Sequence, residues 1–181
     1  TNHYVDKEGK EKRKSEKTKN EYVLEQLAII KANKIKYHTI IFDSWFSCNN
    51  TLKYIHLNLK KQFVCAIKTN RVIALSEQDK KQGIYHEINS IHWETHTHLT
   101  VWLKGLNFPV RLHRQVFINK DSSMGYLYLI SNSLNDSIDT IHSLYQKRWK
   151  VELFHKSLKS NANIEKSFAH TIKTQSNHIF S

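Results

Sequence analysis

Long apolar runs are missing from this sequence: nowhere do roughly 18 apolar residues follow one another, and no charged-then-apolar leader opens the chain. Neither a helical membrane span nor a secretory leader is therefore expected. Cysteine is scarce too. Cys48 and Cys65 show no metal-ligand or disulfide spacing and sit in apolar surroundings, so they read as buried thiols of a cytosolic protein. One proline and four glycines are far too few for a collagen-like chain, and no internal repeat or low-complexity segment appears beyond a charged start. The chain begins at Thr1 rather than Met and ends at Ser181 with no stop signal, as expected of a sequence cut at both ends.

What is abundant is positive charge: 28 Lys plus Arg against 16 Asp plus Glu give a net +12 and a pI near 9.6. Such a surplus points to a polyanionic partner, because each neutralised phosphate releases counterions. With no membrane-spanning segment, nucleic acid is the expected partner and the cytoplasm the expected place. A length of 181 residues, 39% hydrophobic and 11% aromatic, suits one folded domain.

Residues 1–20 alternate Lys, Glu and Arg and read as a solvated arm or a DNA-backbone contact. From Glu21, the spacing of Tyr22, Val23, Leu24, Leu27 and Ile30 predicts a helix ending near residues 33–36. Residues 37–43 form a short β-branched and aromatic run that closes on Asp43, a buried strand with a carboxylate at its C-terminal end. A helix carrying Leu52, Ile55, Leu57 and Leu59, capped by Ser47 or Asn49, leads to a second buried strand at 63–67. This alternation predicts an α/β fold with parallel pairing. Short alternating runs at 84–88, 99–103, 110–118 and 126–131, separated by Gly83, Gly105, Pro109 and Gly125, predict an antiparallel β region. A long helix is expected from Ser137 to at least Lys159. The expected divisions are thus a charged arm (1–20), a partial core (21–68), a β-rich insertion (69–132) and a helical region (133–181).

On that last helix, Tyr145, Arg148, Glu152 and Lys159 fall within one arc of about 60°, beside an apolar stripe of Leu144, Val151, Phe154 and Leu158. Alone, this describes any salt-bridged amphipathic helix. Asp43 changes the weighing, since open α/β sheets place ligands at the C-terminal ends of their strands, although capping or loop-bracing would also suit an acid there.

The spacing Tyr145-x2-Arg148-x3-Glu152-x6-Lys159, with the block Ile-Ile-Phe-Asp-Ser-Trp-Phe at 40–46, resembles the signature of bacterial insertion-sequence DDE transposases of the fourth insertion-sequence family and its relatives. The resemblance implies a ribonuclease H-like fold, incomplete at its N-terminal strands, with an antiparallel β insertion before the final catalytic helix. It implies that Asp43 and Glu152 are the second and third acids of a metal-binding triad, and that Tyr145, Arg148 and Lys159 contact phosphates at a transposon end. Two Mg²⁺ or Mn²⁺ ions would then drive phosphodiester hydrolysis and strand transfer, within a homodimeric synaptic complex on DNA.

The first acid of such a triad is expected on a central strand preceding the others. Asp6 is the sole Asp before Asp43, and its neighbours Tyr4, Val5, Lys7 and Glu8 do not make a buried strand. The chain by itself is therefore expected to be inactive. Two other functions stay open: a non-catalytic nucleic-acid-binding remnant, and a ribonuclease H-like nuclease outside transposition. His86, His92, His96 and His98 crowd the β region without a zinc spacing. Trp93 and Trp102 read either as stacking surfaces for an extruded base or as core residues; Trp45 and Trp149 are expected to pack the floor of the site.

Overall fold

The computed structural model describes residues 2–5, 8–93 and 98–161, with backbone alone at 2–4, 12–14 and 161. The expected arm is a hairpin here: β1 (Asn2–Val5) pairs antiparallel with β2 (Glu11–Lys14), Val5 opposite Glu11. Gly9, at φ +78°, supplies the left-handed backbone for the reversal. Helix α1 (Lys19–Ala32) starts earlier than its apolar spacing suggested, because Thr18 and Glu21 form a reciprocal capping box that satisfies two otherwise orphaned amides.

Strand β3 (Thr39–Phe42) pairs in parallel with β4 (Gln62–Ala66), Thr39 opposite Gln62 and Phe42 opposite Cys65. Between them, α2 (Asn49–Lys53) runs on as a π-helical turn (Tyr54–Asn58). Its N-cap is neither Ser47 nor Asn49 but Cys48, whose thiol lies 3.2 Å from the Thr51 hydroxyl and is half-buried, unlike the fully buried Cys65.

The β-rich segment adds β5 (Val72–Ala74), helix α3 (Glu77–Gln82), β6 (His86–Glu87), β7 (His98–Leu103), β8 (Val110–Ile118) and β9 (Met124–Ser131). Rather than forming a layer of its own, it joins the first strands in one seven-stranded sheet of order β3-β4-β9-β8-β7-β5-β6, in which only β3 and β4 run parallel. The period-two alternation along β4 then decides the layers. Phe63 and Cys65 face the larger core with Leu27, Leu52, Ile55, Leu112 and Ile130, whereas Val64 and Ala66 face a smaller one with Leu129, Ile141 and Tyr145. Helix α4 (Ile138–Asn161) closes that second face, packing across β3 and β4.

A mismatch of length and an apolar edge strand leave two surfaces open among the described residues. A four-residue β3 spans about 13 Å while the 24 residues of α4 span about 36 Å, so the helix overruns the sheet. Leu144 packs as expected, but Val151, Leu153 and Phe154 are exposed, as is every residue from 149 to 157. Among the described residues, strand β3 is also the edge of the sheet, yet Ile40 and Phe42 pack on one face and Ile41 on the other. An apolar strand covered on both sides has the character of an interior strand.

Between β8 and α4 the core holds an unusual group. His113 is wholly buried with neither ring nitrogen hydrogen-bonded, facing His98, Arg111, His142 and Asp136. Burial first, then the neighbouring histidines and Arg111, push its pKa from 6.5 down to about 4, with Asp136 opposing. As pH falls, the unfolded chain takes up this proton before the folded one does. Stability is accordingly expected to be intact above pH 6.5 and to fall by up to about 3 kcal/mol as pH drops to 4. Urea unfolding across that range checks this: His113→Leu should remove most of the decline, and an identical decline in both proteins would refute the assignment.

Candidate active site

The acid at the end of β3 performs two tasks with its two oxygens. Asp43 caps the 3₁₀ turn Ser44–Phe46, its Oδ1 accepting from the Ser44 amide and, at 3.0 Å, from the Ser44 hydroxyl. Its Oδ2 is left facing α4, with Arg148 Nη1 3.7 Å away. The turn is braced from behind, because the Ser47 hydroxyl donates to the Ser44 carbonyl and Arg71 donates to the Ser47 carbonyl and to Asn49. Asp43 thus caps a turn and lines the cleft at once.

All four positions of the expected stripe lie on α4, and Tyr145, Arg148 and Glu152 touch one another in turn. Tyr145 is buried against Val64 and Leu129, and burial foremost raises its hydroxyl pKa. One turn on, the Arg148 guanidinium lies 5.3 Å from the Tyr145 ring and 4.8 Å from that of Trp149, and donates to Glu152 Oε1. Burial works against the Arg148 charge, but Tyr145, Glu152 and Asp43 together outweigh it and raise its pKa. The arginine side chain is 17% exposed, and its Nε is buried without a hydrogen-bond partner. Lys159 stands seven residues beyond Glu152, exposed on the overrunning part of α4.

Asp43, Tyr145 and Arg148 line a cleft of about 650 Å³ together with Ser44, Lys68, Tyr126 and Trp149 among others, and Glu152 meets it through Arg148. Lys68 and Tyr126 were not anticipated. Lys68 did leave a signal, since it closes the run at 63–67 just as Asp43 closes the run at 37–43, and parallel neighbours deliver such residues to one edge.

The tryptophans exchange roles. Trp93 is 6% exposed, packed against Tyr128 with Arg114 over its ring, so it is a core side chain. Trp102 is half-buried in β7. Trp45 and Trp149, expected as packing for the floor, are instead 70% and 54% exposed at the cleft's margin, because a short 3₁₀ turn and an overrunning helix offer them nothing to pack on. Of the four histidines, His96 lies outside the described residues, while His86, His92 and His98 are exposed.

Among the described residues no three His, Cys, Asp or Glu side chains converge as a metal site. Two carboxylates from different elements do converge on one cationic group, Arg148, and that is a donor set suited to a hard divalent cation once a third oxygen ligand joins. No helix among the described residues is long and apolar enough to cross a membrane.

No curated protein matches the chain. The family model described as Archaeal putative transposase ISC1217, a DDE transposase family, matches residues 3–180. With the α/β sheet ending on Asp43 and the helix bearing Glu152 packed over it, that match covers nearly the whole sequence, and the chain belongs to this family of DDE transposases.

Proposed function

We propose that Asp43 and Glu152 are two of the three carboxylates of a metal-dependent phosphodiester-cleaving site acting at transposon ends. The observation that carries this reading is the shared guanidinium: Arg148, in the lining of the cleft with Asp43, draws together acids that lie 109 positions apart, on β3's end and on α4. The third carboxylate is assigned to a strand pairing along the open edge of β3, where it would stand beside Asp43 and cover apolar surface. A bound Mg²⁺ or Mn²⁺ pair would supply Lewis acidity and an activated water or 3′-hydroxyl.

The protein's own groups do the remaining work. Asp43, fixed through Ser44, holds its free oxygen toward the cleft; Glu152 approaches from the helix. Arg148 releases the acids and grips phosphate with its planar fork, and its unpartnered Nε is a donor ready for that contact. Lys159 adds a point charge farther along the DNA, and Tyr145 orients the arginine. Kinship with the bacterial fourth insertion-sequence family, action as a homodimer, and a division into core (21–68), insertion (69–132) and catalytic helix (133–181) belong to the same proposal. Asp6, the sole Asp before Asp43, lies outside the described residues, and with two such acids among those described the chain is proposed to bind DNA without cutting it.

DNA affinity as a function of salt is the test. Arg148→Ala and Lys159→Ala are each expected to lower the slope of log K against log salt on duplex DNA by about 0.9, the equivalent of one phosphate. An unchanged slope in both variants would return α4 to an ordinary salt-bridged helix.

A further inference from the structure

Trp45 is the most exposed of the aromatic side chains at the cleft, and it is not bare. Two ammonium groups lie over its ring, Lys68 Nζ at 5.0 Å and Lys19 Nζ at 6.0 Å, one from the end of β4 and one from the start of α1. Neither lysine forms an ion pair with a described acid, and both are exposed. Lys68 and Ser44, the residue before Trp45, line the cleft, and Trp149 with its own cation, Arg148, stands at the margin too. One exposed indole therefore lines the cleft and a second, Trp45, adjoins its lining residues Ser44 and Lys68, each partnered by a basic side chain.

Stability does not explain this placement, since a large indole 70% in water contributes little to the core. A docked protein would suit an exposed tryptophan, but two lysines that pair with no described acid, in a chain of net charge +12, favour a polyanion. An aromatic face flanked by cations is how sequence-tolerant grooves hold unpaired nucleotides: the ring takes the base and the lysines take the phosphates on either side. Magnitudes favour the exchange. A stacked base outweighs a cation over an exposed ring, and the displaced ammonium groups regain phosphate partners.

We propose that Trp45, with Lys19 and Lys68, is a stacking platform for an unpaired nucleotide of the DNA strand in the cleft, two residues from Asp43. It rests on the transposase reading of the cleft, and it makes Trp45 a positioning residue that holds a frayed or extruded end while Asp43 faces the backbone. The platform lies on the turn that Asp43 caps, so the base and the acid would be fixed by one rigid element.

The experiment measures binding of this chain to a mixed-sequence single strand and to the matching blunt duplex by fluorescence anisotropy, over a range of salt. Trp45→Ala is expected to weaken single-strand binding by about 5- to 150-fold with the salt slope unchanged, because it removes stacking and no phosphate contact. Trp45→Phe should keep most of the affinity, and Lys68→Ala should lower the single-strand slope by about 0.7. Equal losses on duplex and single strand, or no loss in Trp45→Ala, would overturn the platform. If affinity falls in Arg148→Ala but not in Trp45→Ala, the cleft reading survives and the platform does not. Absence of salt-dependent binding to either DNA would overturn both.

Discussion

A labelled duplex carrying a transposon end is expected to stay intact with this chain in Mg²⁺ or Mn²⁺, and to be cut once a third carboxylate arrives on a strand paired along the edge of β3. The reason is the ligand count. Asp43 commits one oxygen to Ser44 and offers the other, and Glu152 contributes its own carboxylate, which leaves a hard cation with too few oxygens and a second cation with no fixed place. In the completed enzyme, Asp43→Asn or Glu152→Gln should each lower cleavage by more than about 10³-fold, the rate equivalent of several kcal/mol of lost Lewis-acid stabilisation. Both variants keep the size of the residue replaced and one acceptor oxygen, and they remove negative charge beside the DNA, so DNA affinity should persist. Cleavage by this chain alone that vanishes in Glu152→Gln would show that its own residues complete the site and that the assignment of the third acid is mistaken. Cleavage by the completed enzyme that survives both changes would remove Asp43 and Glu152 from the chemistry.

The second large effect concerns stability. Phe63 is wholly buried on β4, in the larger core and 6.3 Å from the Phe42 ring. Phe63→Ala is expected to cost about 3–5 kcal/mol, from lost burial and the cavity left behind. Against a total of about 5–15 kcal/mol that is a major fraction, and for a chain of this length it lowers the thermal midpoint by on the order of 10 °C. The position also matters to function, because β4 sets the height of β3 and therefore of Asp43 against α4. Phe154→Ala provides the contrast. Phe154 is 59% exposed, so its removal should change stability by no more than about 0.5 kcal/mol. Thermal unfolding of both variants checks the pair, and a similar loss in each would mean that the exposed face of α4 is covered in solution.

Legibility followed the range of the interaction. The strand at 37–43, the strand at 63–67, the long last helix and the stripe at 145, 148 and 152 were readable because each depends on local periodicity, which a buried face imposes on its own segment. The start of α1 was misplaced for an equally local reason: the capping box of Thr18 and Glu21 overrides the onset of apolar spacing. The hairpin at the start was missed because charged residues carry no alternation of apolar burial.

By itself, then, the sequence determined the charge that calls for a polyanion, the order of helices and strands, and the two acids placed where a strand ends and a helix turns. Tertiary structure alone decided what those acids meet. That Arg148 lies between Asp43 and Glu152 depends on α4 crossing β3 and β4, a pairing of segments about a hundred residues apart that no local pattern encodes. The exchange among the tryptophans has the same origin. Burial of an indole depends on which surfaces reach it: the sheet and Tyr128 reach Trp93, while no core extends to Trp45 or Trp149, and so aromatic residues of one kind became core in one place and open surface in the other.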